Sequence, residues 1–97
     1  MEPANSDITV SNVVVSRAGR DQGEWFYVID ADDTYLLLVN GKDRPLDKPK
    51  RKKRKHAQKV LRSETRVAAT IKSGDKVLNG ELRRDLAFLA REMQAKT

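Results

Sequence analysis

The chain has no cysteine, a single histidine and a single tryptophan. Without cysteine there is no disulfide framework, no thiolate metal site and no cysteine nucleophile. With His56 alone, no metal site can be assembled from several imidazoles, and no Ser-His-Asp triad has supporting context. Long apolar runs are missing as well: stretches such as Leu36–Val39 fall far short of the ~20 residues that a membrane-spanning helix needs. The segment Met1 to Asp7 is polar and acidic, with no basic region ahead of an apolar one, so no signal peptide is expected. There is no glycine-rich nucleotide-binding loop. Asp30, Asp32 and Asp33 are not followed by the ligand pattern of a calcium loop and read as a turn. No catalytic constellation, metal site or cofactor is expected, and the default is a soluble, cytoplasmic binding module with no membrane partner.

What is present is charge, unevenly placed. The 97 residues are 38% hydrophobic and 35% charged, enough for one modest core under a heavily ionised surface. The net charge of +6 conceals a sharp division. Lys42 to Arg62 carries eleven Lys/Arg against two Asp, while the rest of the chain is net negative. Positive charge gathered in one segment points to a polyanionic partner, because cations that meet phosphates release condensed counterions.

Periodicity divides the chain into three regions. The first, Ile8 to about Gly41, is rich in β-branched and aromatic residues. Val13–Val15, Trp25–Ile29 and Tyr35–Val39 read as strands, separated by turns at Arg17–Gly23, Ala31–Asp33 and Asn40–Gly41. Pro45 and Pro49 disfavour a helix in the second region, so the basic tract is expected to be extended or looping, running into a closing strand at His56–Leu61. The third region reads as helical. A short helix capped by Ser63 reaches about Ile71 and stops at Ser73-Gly74-Asp75, and a longer one runs from an Asn79 cap to about Gln94. Leu82, Leu86, Leu89 and Met93 line one face of that longer helix, and Phe88 lies off the stripe.

The strongest single feature is Lys50-Arg51-Lys52-Lys53-Arg54-Lys55. Taken alone it fits a nucleic-acid contact, an import signal or a solvated loop, since six adjacent like charges repel and favour a counter-charged surface. The Gly19/Gly23 loop with Arg17 and Arg20 is by spacing an ordinary hairpin turn, and gains interest only beside the basic tract. Along the aromatic strand, Phe26 and Val28 share one face and Trp25, Tyr27 and Ile29 the other. One set is expected to fill a core, and the other to lie under the helices or offer a stacking surface to an unpaired base.

Val13 to Gly23, followed by the aromatic strand, resembles a KOW motif: strand, loop and second strand around a nearly invariant glycine, here Gly19. The segment Asp43 to His56 is similar to the basic arm of archaeal and eukaryotic large-subunit ribosomal proteins that carry this domain, and small bacterial KOW-domain RNA-binding proteins share both segments. The likeness spans about Ile8 to Leu61, with Ser11 standing where many relatives begin the motif with glycine. It implies a mainly β fold, a small SH3-like β-barrel over 1–62 with a basic arm at about 42–59 and a helical C-terminal extension over 63–97. It further implies binding to structured RNA, ribosomal RNA or the large ribosomal subunit. Arg17, Gly19, Arg20 and Gly23 would form the motif loop. Lys48, Lys50, Arg51, Lys52, Lys53, Arg54, Lys55 and His56 would form the arm, with Lys42, Arg44 and Lys59 flanking it. The alternative is a protein–protein module of the transcription or translation machinery, with partners met through the C-terminal helices.

Overall fold

Short β-branched and aromatic runs become strands, and the two leucine- and alanine-bearing stretches that follow become helices. A computed structural model describes residues 7–60 and 65–95, so the expected cap Ser63 and the expected strand end Leu61 lie outside the described residues. The elements are β1 (Val13–Ser16), β2 (Trp25–Ala31), β3 (Tyr35–Val39), β4 (Lys50–Lys53), β5 (Ala57–Lys59), α1 (Arg66–Ser73) and α2 (Asn79–Ala95). A 3-10 turn, Arg54–His56, joins β4 to β5. The strands pair antiparallel in the order β4-β3-β2-β1-β5.

The sheet curls but does not close. Lys52 on edge strand β4 donates to the Ala18 carbonyl just beyond β1 at 2.9 Å, although β4 and β1 would lie about 14 Å apart in a flat sheet. The expected closing strand does not pair with β4. Of the expected strand, Ala57–Lys59 pair with β1 and His56 is spent in the Arg54–His56 turn, so among the described residues no part of it runs beside β4.

Alternation along β2 gives the fold two cores. Phe26 and Val28 join Ile8, Val14, Leu36, Leu38 and Ala57 on the inner face of the curl. Tyr27 turns the other way and meets Val13, Val39 and Val60, together with Val67, Ala68, Val77, Leu82, Leu86 and Leu89 from the helical region. Each large side chain buried in this way stabilises by about 1.5–3 kcal/mol, so the helices are packed onto the sheet by a shared apolar layer.

One hydrogen-bond chain crosses that layer. The Tyr27 hydroxyl donates its one proton to the Asp85 carboxylate on α2. Thr65 Oγ1, 2.6 Å away, must then supply its own proton to the Tyr27 oxygen, while accepting from the Ala68 N–H at 3.0 Å as the cap of α1. Burial and the Asp85 carboxylate push the Tyr27 phenol well above its ordinary pKa, so it stays a donor. The α2 start differs from expectation: the Glu81 side chain reaches back to the Leu78 N–H, and Asn79 Oδ1 accepts from the Leu46 N–H instead. Asn79 therefore anchors the segment between β3 and β4. Gly41 allows this approach, since a Cβ there would overlap the Asn79 carbonyl oxygen.

Ser11 adopts φ 79°, the one non-glycine residue with positive φ among those described, and its N–H donates to the Val28 carbonyl at 2.7 Å. A side chain held left-handed costs roughly 1–2 kcal/mol, partly offset by the extra freedom glycine has when unfolded. Ser11→Gly is therefore expected to raise Tm by about 3 °C in thermal denaturation followed by circular dichroism, and Ser11→Val to lower it. A Ser11→Gly protein less stable than the parent would contradict this account.

Candidate nucleic-acid interface

A strand made only of lysine and arginine needs somewhere to put the half of its side chains that faces inward. On β4, Lys50 is opposite Leu38 and Lys52 is opposite Leu36, and both leucines belong to the inner core. Lys52 is 7% exposed. The ammonium groups are taken up by Asp21, which projects from the loop between β1 and β2. Lys52 Nζ lies 3.0 Å from Asp21 Oδ1 and also holds the Ala18 carbonyl. Lys50 Nζ lies 2.9 Å from Oδ2, an ionic contact without hydrogen-bond geometry. Ser16 Oγ donates to Oδ1 at 2.7 Å. Desolvation pushes the Asp21 carboxyl up, but Ser16, Lys50 and Lys52 together outweigh it and hold the group far below the usual carboxylate range.

This cluster docks the β1–β2 loop on the basic strand. At the loop's start the Arg17 N–H donates to the His56 carbonyl at 2.8 Å, and Arg17 Nε donates to Gln58 Oε1 at 2.6 Å. The loop and the arm expected to be separate in sequence are thus one surface. Gly19 and Gly23 both take positive φ, 87° and 92°, and a Cβ at Gly19 would meet nothing closer than 3.7 Å. The need for glycine at that position is one of backbone conformation.

The fifteen residues expected to contact RNA divide by geometry. Lys50 and Lys52 face inward and neutralise Asp21. Arg51 faces out with its guanidinium carbon 3.7 Å from the Tyr35 ring centroid, a cation–π contact. Arg54 Nε donates to the Asp32 carbonyl. Arg20, Lys42, Lys48, Lys53 and Lys55 are exposed, while Arg44, His56 and Lys59 are half-buried at the margins. Arg44 is tied to the turn after β3, where Asn40 Oδ1 accepts from the Lys42 and Arg44 N–H groups. The aspartates of the β2–β3 turn act locally: Asp32 Oδ1 accepts from the Thr34 and Tyr35 N–H groups, and its carboxyl is lowered by those bonds, with Arg51 and Arg54 adding to the effect. Among the described residues no three His, Asp or Glu side chains converge to hold a metal ion, and no helix is long and apolar enough to cross a membrane.

Three contributors carried no assigned role in the sequence: Asp21, Gln58 and Tyr35. Asp21 had a readable signal, since it is the one acidic residue between two loop glycines in a chain with a six-cation run. Gln58 and Tyr35 had none, because their roles arise from pairing across strands. No protein-family model and no curated protein sequence matches the chain.

Removing one partner from a buried ionic cluster costs about 3–5 kcal/mol, so Asp21→Asn is expected to destabilise by about 3 kcal/mol in urea unfolding. Its folded pKa is depressed, so its contribution is complete above the unfolded value of about 3.9 and drains away as pH falls below that. The acid limb of the wild-type stability curve below about pH 4 should flatten in Asp21→Asn. Parallel acid limbs for the two proteins would show that Asp21 does not carry this dependence.

Proposed function

We propose that the chain is a cytoplasmic, non-enzymatic RNA-binding protein of the KOW type, an SH3-like barrel in open form that binds structured RNA, ribosomal RNA or the large ribosomal subunit in particular. The observation that carries this reading is the docking of the Arg17–Gly23 loop on β4 by Asp21. It unites the motif loop with the basic arm and leaves Arg20, Lys53 and Lys55 exposed, without ion-pair or side-chain hydrogen-bond partners among the described residues. The order of five antiparallel strands with a 3-10 turn between β4 and β5 supports the barrel reading. Ser11 supports the motif assignment, because it takes the backbone conformation that the motif's initial glycine would supply without strain.

In this reading the outward cations meet phosphates, with Arg51 held over the Tyr35 ring and the lysines acting as point charges. RNA shape dominates over base identity, as it does where a protein contacts the backbone of a folded RNA. Asp21, Lys50 and Lys52 belong to the scaffold of the site, not its surface.

A second reading, a protein-interaction module, is favoured by Phe88 and Leu78, which are 53% and 57% exposed in the helical region. Sedimentation of native lysate at low and moderately high salt separates the two. Co-migration with the large ribosomal subunit that persists at moderate salt supports the first reading, and confinement to light fractions at both salts removes the ribosomal version.

Binding to a structured RNA followed by fluorescence anisotropy tests the surface itself. Arg20→Ala, Lys53→Ala and Lys55→Ala are each expected to weaken binding and to reduce the slope of log K against log salt by about 1. A triple Ala variant at the three exposed positions that binds like the parent would overturn the proposed interface.

A further inference from the structure

Apart from the basic face, one concavity combines an aromatic surface with cations. It lies between the start of β2 and α2, has a volume of about 480 Å³, and is lined by Trp25, Lys42, Arg83, Leu86, Ala87 and Ala90, with Glu24 and Asn40 at its margin. That volume falls in the range of small-ligand pockets. Trp25 packs part of its indole against the helix-covered core and is only half-buried, so the rest of the ring faces the groove. On α2 the lining residues 83, 86, 87 and 90 follow helical spacing. Two of them are alanines, whose short side chains leave room beside the indole.

The polar groups around the groove are unequal in what they have left to offer. Asn40 is largely engaged: Oδ1 accepts from the Lys42 and Arg44 N–H groups and Nδ2 donates one of its two N–H groups to Asp43. Arg83 uses one guanidinium nitrogen on the Gly41 carbonyl at 2.7 Å, which fixes the side chain at the rim with other donors unspent. Lys42 is exposed. Among the lining residues two cations, Lys42 and Arg83, stand against the carboxylate of Glu24, with Asp43 hydrogen-bonded to Asn40 at the margin. In sequence the groove adjoins the proposed RNA surface, since Glu24 and Trp25 directly follow the Arg17–Gly23 loop and Lys42 begins the basic arm.

We infer that this groove is a socket for one unpaired nucleotide of the bound RNA, with its base on the Trp25 indole and its phosphate at Lys42 and Arg83. The inference rests on the RNA reading and adds to it a single-strand contact separate from β4. Base–aromatic stacking of this kind is worth about 1–3 kcal/mol and tolerates any base. The socket therefore favours an RNA with a bulge or frayed end over a fully paired one, without selecting its sequence.

Trp25 is the chain's only tryptophan, so intrinsic fluorescence reports on the groove directly. The full-length protein is titrated with a single-stranded RNA heptamer, with a blunt RNA duplex, and with an acidic peptide of similar charge, while anisotropy of labelled RNA reports binding anywhere on the surface. Saturable quenching by the heptamer but not by the duplex or peptide is expected. Ala90→Leu, which fills the room beside the indole, should abolish the quenching and weaken heptamer binding about tenfold, corresponding to the lower part of that stacking range, with duplex binding retained. Lys42→Ala should weaken heptamer binding and keep the quenching at saturation. Heptamer binding seen by anisotropy without quenching overturns the socket and leaves the RNA reading standing. Absence of binding by either RNA overturns both. Quenching by the acidic peptide equal to that by the heptamer assigns the groove to a protein segment and overturns the nucleotide.

Discussion

The ion cluster formed by Asp21 with Lys50 and Lys52 is the constraint on which the remaining structure depends. Two lysines facing an apolar interior are costly unless paired, and a strand of four consecutive cations has no other way to join this sheet. Once Asp21 supplies the counter-charge, three things follow together. The basic tract becomes β4, the sheet curls far enough for Lys52 to reach Ala18, and the Arg17–Gly23 loop is pinned beside the residues it is proposed to work with. The same carboxylate thus determines both the edge of the fold and the composition of its surface.

The helices contribute in a different manner. Tyr27, Thr65 and Asp85 link the middle of the sheet to both helices through one directed chain of hydrogen bonds. Asn79 and Arg83 then hold the Gly41–Leu46 segment from the helix side. The first half of the basic arm is consequently fastened at its base, while β4 is fastened from within by Asp21. The arm is supported at two points by elements distant in sequence, which limits the ordering that the proposed polyanionic partner would have to impose on it.

Much of this was legible in the sequence, and the parts that were not share a cause. Tyr35–Val39 is found with the expected bounds, because five consecutive apolar residues between two turn signals leave little choice. Phe26 and Tyr27 divide between two cores, as strand alternation requires. The stop at Gly74 follows from glycine's ease in the left-handed region. The misreadings concern polar side chains whose partners are remote. Asn79 looked like a cap, and its capping chemistry is real, but Leu46 is the group that receives it. Within the six-cation run, nothing local distinguishes an inward lysine from an outward one. Only the pairing of β4 with β3 does so. Closure of the barrel was likewise not determined locally, because it depends on how much backbone the turn before β5 consumes.

The composition of β4 has one further consequence. In most strands the alternation of apolar and polar side chains carries the information that selects one register over its neighbours, since a shift by one residue exchanges the two faces. Lys50-Arg51-Lys52-Lys53 carries almost none: every shifted alignment presents cations to both faces. The register of this strand is therefore written in its surroundings, in the Asp21 carboxylate, the Tyr35 ring under Arg51 and the Arg54 N–H bonded to the Thr34 carbonyl. A tract that is chemically degenerate along its own length acquires a unique alignment from three neighbours, none of which belongs to it.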